Sequence, residues 1–556
     1  MRINNHLPFF LLFLFGGLAA LPLQAASARY RCMWREDPAT TMVIGWDQIS
    51  GHSPVLYYDE IDFGGQAQAY RYQKQPDRYI QAKGMNNQFV RLTGLRPNTV
   101  YYFVIKDSEG TSRRMSFQTA PDQPDQPLSI IAGGDSRNNR AARVEANRLV
   151  SKLRPHFVVF AGDMTGGDTH ENWRNWFDDW QQTIGSDGRL FPIVTARGNH
   201  ERENASITEL FDVSNTEVYY GLTFGGNLFR LYTLNSLIAP AGRQAIWLEG
   251  DLEANQSIIW KMAQYHQGMR PHTRNKPEKD ELYNNWARLF YNYGVDLVLE
   301  SDAHVVKTTY PLRPFRGAGS DEGFIRDDQR GTIYIGEGCW GAPLRKADDP
   351  KQWTRAFGSF NQFKWIFVSQ QRMEIRTIRT TNTQNVAEVS HNNIFELPIG
   401  LSVWNPKSGD VIQIHNQRMA QHNRPIRPPA QDPVLPQRPG RRNDPPEAAA
   451  PEQESATPPV APKEQPADRN DWSAFTKVMP DANDIITVKF DMPRPGPLAM
   501  QLIDRNWAIK LRANLPQEEA GQQVKQLTLK DLPKGEYLLI IRSGKQVLRK
   551  YQVVKR

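Results

Sequence analysis

The chain has 556 residues, too many for one ordinary core, and three or four domains are expected. With 39% hydrophobic and 23% charged residues its composition is ordinary for a soluble protein, and beyond the N-terminal run no segment is long and apolar enough to span a bilayer. Lys and Arg number 68 against 60 Asp and Glu, a net charge of +8 that draws anions to the surface but does not by itself name nucleic acid as a partner, and no specific nucleic-acid binding is expected.

Met1-Arg2 leads into an apolar run through Leu7, Phe9 to Phe15 and Leu18 to Leu21, followed by the small residues Ala26-Ser27-Ala28. Residues 1–28 are predicted to be a secretory signal peptide cut after Ala28, leaving no membrane span and placing the protein in the periplasm, on the cell surface or outside the cell. Cys32 follows Ala28-Arg29-Tyr30-Arg31, which is not a lipoprotein signal, so no lipid anchor is expected. Cys32 and Cys339 are compatible with one disulfide in an oxidising compartment and equally with two inert buried thiols.

Residues 29–122 read as a β-sandwich of short strands, among them Thr40–Trp46, Val55–Tyr58, Phe89–Leu92 and Tyr101–Ile105, separated by Gly and Pro turns. The piece Val90 to Phe103, with Leu95-Arg-Pro97 before a Tyr-rich strand, and then Phe117-Gln-Thr119, resembles the late strands of fibronectin type III domains. Pro121 to Pro127 reads as a short linker. From 127 to 417, strand-like runs alternate with amphipathic segments, the pattern of a layered α/β domain, with the clearest helices at Arg140–Leu153 and Asn172–Gln182. In the second helix Trp173, Trp176, Phe177 and Trp180 share one face, read as a buried aromatic stripe rather than a base-stacking platform. Residues 418–470, rich in Pro, Arg, Gln and Ala, are predicted to be an extended linker. Residues 471–556 return to short strands and are predicted to form a small β-sandwich. Its ending, Gly535-Glu-Tyr537, Ser543-Gly-Lys545 and Tyr551 to Lys555, resembles the C-terminal sorting domains of type IX secretion, which would imply contact with export machinery.

The chemistry is concentrated where apolar runs of the central domain end. Leu128–Ala132 leads to Gly134-Asp135, His156–Ala161 to Gly162-Asp163, and Leu190–Ala196 to Gly198-Asn199-His200-Glu201. Ile258–Tyr265 leads to His266, and Val295–Leu299 to Asp302-Ala303-His304. Ligands bind open α/β sheets beyond the carboxyl ends of strands. Three aspartates, an asparagine and imidazoles in such places are an inventory for two metal ions, one carboxylate being able to bridge them.

Taken together these ordered blocks resemble the calcineurin-like metallophosphoesterases, and the preceding sandwich makes the purple acid phosphatase branch the nearest likeness. The resemblance implies a multidomain chain: an N-terminal β-sandwich, a central α/β (four-layer αββα) metallophosphoesterase domain and a small C-terminal β-sandwich. It also implies two divalent or trivalent metal ions (Fe, Mn or Zn). Asp135 and His304 would hold one ion, Asn199, His266 and Asp302 the other, and Asp163 would bridge them. His200 would act beside the phosphate as general acid or hydrogen-bond donor, Glu201 would orient its imidazole, and His272 would touch substrate. Three departures stand out. Gly166 occupies the position of the tyrosine that makes the purple enzymes purple. Arg137 replaces a metal-binding histidine and can clamp a phosphate oxygen instead. Asp302 replaces the first histidine of a Gly-His-x-His motif, a harder, anionic ligand that favours Mn, Mg or Fe over Zn. The expected function is an exported phosphohydrolase acting on phosphomonoesters. The alternatives are a phosphodiesterase or nucleotidase at the same site, and a catalytically inactive cell-surface binding protein.

Overall fold

The computed structural model describes residues 26–416 and 476–555, save 493, 505–508 and 544–545. The expected leader up to residue 25 and the expected linker 418–470 lie outside the described residues. Two compact units are formed, one within 1–240 and 255–420, the other within 241–254 and 421–556.

The first unit opens with strands β1 (Ser27–Met33), β2 (Met42–Gln48), β3 (Val55–Asp59), β4 (Tyr72–Lys74), β5 (Arg78–Ala82), β6 (Met85–Leu92), β7 (Val100–Lys106) and β8 (Met115–Gln118). They make two four-stranded antiparallel sheets, ordered β1-β2-β6-β5 and β4-β3-β7-β8. Trp46, Leu56, Val90, Phe103 and Phe117 are buried in its core. The Leu95-Arg-Pro97 turn is fastened to the next strand because Arg96 N donates to the Tyr101 hydroxyl at 2.9 Å. The cut expected after Ala28 falls inside β1, where Ser27 pairs with Gln48 and Ala28 with Asp47. Cys32 and Cys339 are both buried and free, so the two-thiol alternative holds.

The α/β domain follows. Parallel strands β9 (Leu128–Gly133), β10 (Phe157–Phe160) and β11 (Ile193–Thr195) alternate with helices α1 (Arg140–Leu153) and α2 (His170–Trp180); α3 (Asn204–Leu210) comes next. A second sheet takes β12 (Tyr220–Phe224), β13 (Phe229–Thr233), β14 (Trp260–Gln267), β15 (Leu297–Ser301), β16 (Val306–Thr309), β19 (Ile333–Gly336) and β20 (Thr354–Gly358), in the order β12-β13-β14-β15-β19-β16-β20. A hairpin of β17 (Leu312–Pro314) and β18 (Phe324–Arg326) lies between β16 and β19 in the chain. The chain then returns as β21 (Gln362–Val368), β22 (Arg372–Arg379) and β23 (Val411–His415), completing the first sheet as β11-β10-β9-β21-β22-β23.

Ile131 of β9, Met262 of β14 and Leu299 of β15 share one core, so the sheets are layered against each other. Helix α2 packs Trp176 on Phe160 of the first sheet, α1 buries Leu149 and Val150 in the same core, and Trp286 and Phe290 pack on Tyr265 of the second sheet, giving the expected αββα order. Both helices are capped at their N-termini by side chains, Asn139 accepting from Ala142 N and Thr169 from Asn172 N. The aromatic stripe of α2 is buried, with Trp176 stacked on Trp180 at 5.0 Å. Trp176 Nε1 donates to Ser136 Oγ at 2.9 Å, which ties this layer to the loop carrying Asp135. Sandwich and α/β domain are locked by Asp212, fully buried, whose carboxylate accepts from Arg35, Arg78 and Arg91 at 2.8–3.2 Å.

In the second unit β24 (Thr476–Val478), β26 (Gly496–Asp504), β27 (Ile509–Glu518), β29 (Gly535–Ser543) and β30 (Gln546–Lys555) form one sheet, and β25 (Ile485–Met492) pairs with β28 (Gly521–Thr528). Alternate residues of β25 face a core that includes Ile486, Val488, Leu539 and Val553. Helix α4 (Arg243–Ala254), within the span expected for the central domain, belongs to this unit, and its Ile246 clusters with Ile503, Leu538 and Ile540.

Candidate metal centre

The marked strand ends converge on one buried cluster. Asp135, Asp163 and His304 offer donor atoms within 4.8 Å of one another, and so do Asp163, His266 and Asp302, with Asp163 common to both groups. Asp135, Asp163, Asp302 and His304 all have positive φ, between 54° and 70°. This conformation costs a non-glycine residue about 1 kcal/mol or more, so the surroundings must enforce it. They do so through the loops themselves: Asp135 N donates to Gly162 O at 3.0 Å, Ser136 N to Asp163 O at 3.1 Å and Asp302 N to Asp135 Oδ2 at 2.7 Å. The glycines are there for close approach, since a Cβ on Gly338 would fall on the Asp135 carboxylate and one on Gly198 on Asp163.

Each imidazole is set by the bond at its other nitrogen. His304 Nδ1 donates to Pro343 O at 2.8 Å, which turns Nε2 to Asp135 Oδ1, 3.1 Å away. His266 Nδ1 donates to Ala161 O at 2.9 Å, and the ladder between β14 and β15 breaks register between Gln264 and Gln267, re-aiming the ring. His266 Nε2 then faces Asn199 Oδ1 at 3.0 Å, Asp163 Oδ1 at 3.3 Å and Asp302 Oδ1 at 3.6 Å. With Nδ1 donating, Nε2 faces three oxygens, an arrangement that either a proton on Nε2 or a cation among them satisfies. Burial alone would lower the His266 pKa, but the charges of Asp163 and Asp135 outweigh it and hold it well above the usual histidine value. Asp302 moves the other way: burial would raise it, but His266 and Lys276 hold it far below the usual carboxylate range. Asp163 Oδ2 is buried with no hydrogen-bond donor. The donor set, the shared carboxylate and this orphaned oxygen fit two metal ions.

Arg137 lies over the first group, Nε 3.3 Å from Asp163 Oδ2 and Nη2 3.3 Å from His304 Nε2. His200, partly exposed, donates from Nδ1 to Gly166 O at 2.8 Å and turns Nε2 toward Asp163 Oδ2 at 3.8 Å. A Cβ at position 166 would collide with the Asn138 amide, so this stretch has no room for a side chain without rearrangement.

Two expected roles are corrected. Glu201 does not orient the His200 ring; its buried carboxylate accepts from Asp163 N at 2.9 Å, Met164 N at 2.7 Å and Gly198 N at 2.7 Å. Burial and the charge of Asp163 push its pKa up, against those amide donors. His272 is fully buried rather than at the mouth, its Nε2 2.7 Å from Thr354 Oγ1 and its ring beside Trp353, so it cannot touch substrate. Two residues reach the site unannounced by any motif: Lys276 donates to Asp302 Oδ1 at 2.6 Å, and Arg345 Nη1 to Asp302 O at 2.7 Å.

Residues 28–119 match the purple acid phosphatase N-terminal domain, and residues 133–306 match the calcineurin-like phosphoesterases. Purple acid phosphatase 15 of Arabidopsis thaliana is 23% identical over 305 residues, 47% of this chain and 55% of that protein. Acid phosphatase type 7 of Homo sapiens is 23% identical over 306 residues, 48% of this chain and 67% of that protein. This chain spans between half and about two thirds of the length of the curated relatives it matches. The solved purple acid phosphatase PPD1 from yellow lupin (Lupinus luteus) seeds shares the fold, with a TM-score of 0.53 at 13% identity over 70% of this chain and 74% of that one.

Proposed function

Because the chain joins a purple acid phosphatase N-terminal domain to a calcineurin-like phosphoesterase domain, we propose that it is an exported phosphohydrolase that cleaves phosphomonoesters at a two-metal centre. The observation that carries this reading is Asp163, shared by two buried donor groups and keeping one oxygen free of any hydrogen bond. Asp135, Asp163 and His304 would hold one ion, and Asp163, Asn199, His266 and Asp302 the other. Such a pair, when bound, supplies a water of lowered pKa and takes up charge on the phosphate. Three carboxylates among these donors are hard ligands, which favours iron or manganese over zinc.

The chain's own side chains do the rest. Arg137 sits beside the bridging carboxylate with a planar fork of donors suited to a phosphoryl oxygen. The Nδ1 bond to Gly166 O fixes the His200 ring so that Nε2 alone faces the centre, and a protonated ring donates from Nε2 to the leaving oxygen. Glu201 holds Asp163 and Gly198 by their backbone, so the bridging carboxylate keeps its place. Export rests on the apolar run before Ala26, and amino-terminal sequencing of the mature protein locates the cut.

The test is phosphate release from a panel of mono- and diesters by the full chain, with metal content measured on the same sample and Asp163→Ala as control. Turnover of a nitrophenyl monoester that vanishes in the variant is expected. A folded, metal-loaded protein that turns over nothing, or only the bis-ester, overturns the reading.

A further inference from the structure

Lys276 approaches the centre from the loop that follows β14. Its Nζ donates to Asp302 Oδ1 at 2.6 Å, and that oxygen lies 3.6 Å from His266 Nε2. The lysine side chain is 22% exposed and that of Asp302 7%, which sets the ammonium at the mouth over a buried carboxylate. An ammonium has three donors. Asp302 takes one, and among the described residues no second side-chain acceptor is found for it. Arg137 stands against the bridging carboxylate in the same cluster, its buried Nε likewise without a hydrogen-bond acceptor.

The loop that carries Lys276 is pinned at its root. Met269 N donates to Glu300 Oε1 at 2.8 Å and His272 N to Glu337 Oε2 at 3.0 Å. Both glutamates are buried, and each accepts from Lys307 Nζ at 2.5 Å. Further along, Arg274 N donates to Asp348 Oδ1 at 3.0 Å, Lys276 N to Thr273 O at 3.2 Å and Lys279 N to Met269 O at 3.0 Å. A buried ion triad therefore fixes the backbone from which the ammonium is presented, and His272, bonded to Thr354, belongs to this anchorage.

We propose that Lys276 binds the substrate's phosphate, its ammonium bridging Asp302 and a non-reacting phosphoryl oxygen. Ions held by the three aspartates would take up most of their charge, which would leave the free donors of the ammonium and of the Arg137 guanidinium for the ligand. Two cations around one phosphoryl group favour the dianion of a monoester over the monoanion of a diester. The monoester preference rests on the phosphohydrolase reading above, whereas binding of the anion rests on the lysine geometry and on filled metal sites, not on turnover.

The experiment compares full-length wild type, Lys276→Met and Lys276→Arg, each with metal content and melting temperature recorded. Orthophosphate binding is measured by calorimetry, and kcat/KM with a nitrophenyl monoester and its bis-ester. Lys276→Met is expected to weaken orthophosphate binding about 10- to 100-fold, to lower monoester kcat/KM by a similar factor and diester kcat/KM less, with metal content unchanged. Lys276→Arg recovers part of each loss. Equal orthophosphate affinity in wild type and Lys276→Met overturns the proposal, as does a loss in Lys276→Met that follows lost metal. A wild type that binds orthophosphate through Lys276 without turnover sinks the phosphohydrolase reading and keeps the lysine. Turnover with unchanged orthophosphate affinity in Lys276→Met does the reverse, and a metal-loaded wild type that binds no orthophosphate sinks the lysine proposal and, if it also turns over nothing, the phosphohydrolase reading with it.

Discussion

Replacing Glu201 by glutamine separates two ways in which a carboxylate next to His200 can matter. One glutamate oxygen, Oε2, accepts from both Asp163 N and Gly198 N, and the other, Oε1, from Met164 N. Glutamine has a single acceptor oxygen. Its best placement keeps the pair of amides satisfied and turns its NH2 toward Met164 N, leaving both that amide and the buried NH2 without an acceptor, at a cost of about 1–3 kcal/mol each. Over a unit as large as the one holding this site, that corresponds to a fall of a few °C in melting temperature. Because the affected amides belong to Asp163 and its neighbours, metal occupancy falls with it. Scanning calorimetry and metal analysis of the Glu201→Gln protein, beside His200→Ala, give the readout. His200→Ala is expected to melt with wild type and keep its metal while losing turnover. If Glu201→Gln behaved like His200→Ala, stable and metal-replete but slow, the backbone argument would be refuted and the carboxylate would act through the imidazole after all.

His156 supplies a pH signature remote from the centre. Its Nδ1 accepts from Ser129 N at 2.9 Å, which requires an unprotonated nitrogen, and burial first, then the charge of Arg189, push its pKa down to about 4. The unfolded chain takes up the proton near pH 6.5, so stability from this group is complete above that pH and is lost as the pH falls toward 4. The loss is at most about 3 kcal/mol at 1.36 kcal/mol per pKa unit. His156→Gln should flatten the acid limb of melting temperature against pH, and parallel limbs in the two proteins would contradict the assignment. For the cysteines, a thiol reagent should find no reactive group in the native protein and two per chain after denaturation without reductant, because both are buried and free. Absence of thiol in denaturant would restore the disulfide.

Periodicity and strand-end composition made much of the fold legible. The helix expected at Arg140–Leu153 is α1 residue for residue, and Leu128–Ala132 became β9 with one residue added, since a run of apolar β-formers bounded by Gly-Asp has few other uses. The expected Asn172–Gln182 helix starts two residues earlier at His170, because the cap is Thr169 rather than a residue nearer the aromatic stripe. Helix α4 was not separable by pattern from the central domain, because the partners of Ile246 lie more than 250 positions away in the chain.

At the site, residue type and order were enough to bring Asp135, Asp163, Asn199, His266, Asp302 and His304 together, since a metal-type centre constrains which atoms must meet. They were not enough to say which atom of a neighbour is engaged. Glu201 stands next to His200 in the chain, yet its carboxylate is drawn inward by three amides that only the folded loops align. His272 fails for the same reason: the nearby buried Lys307, Glu300 and Glu337 need their acceptors and donors filled, and the backbone around His272 fills them. A buried triad of that kind leaves no spacing in the sequence, because its members come from β15, β16 and the residue after β19. What it does leave is a rigid loop root, and the residue that gains from it is Lys276, five positions beyond the proline that precedes His272. The chemistry-bearing groups at strand ends are thus readable one by one, whereas the groups that aim them, and the cation delivered by the loop, follow only from which buried charges must be paired.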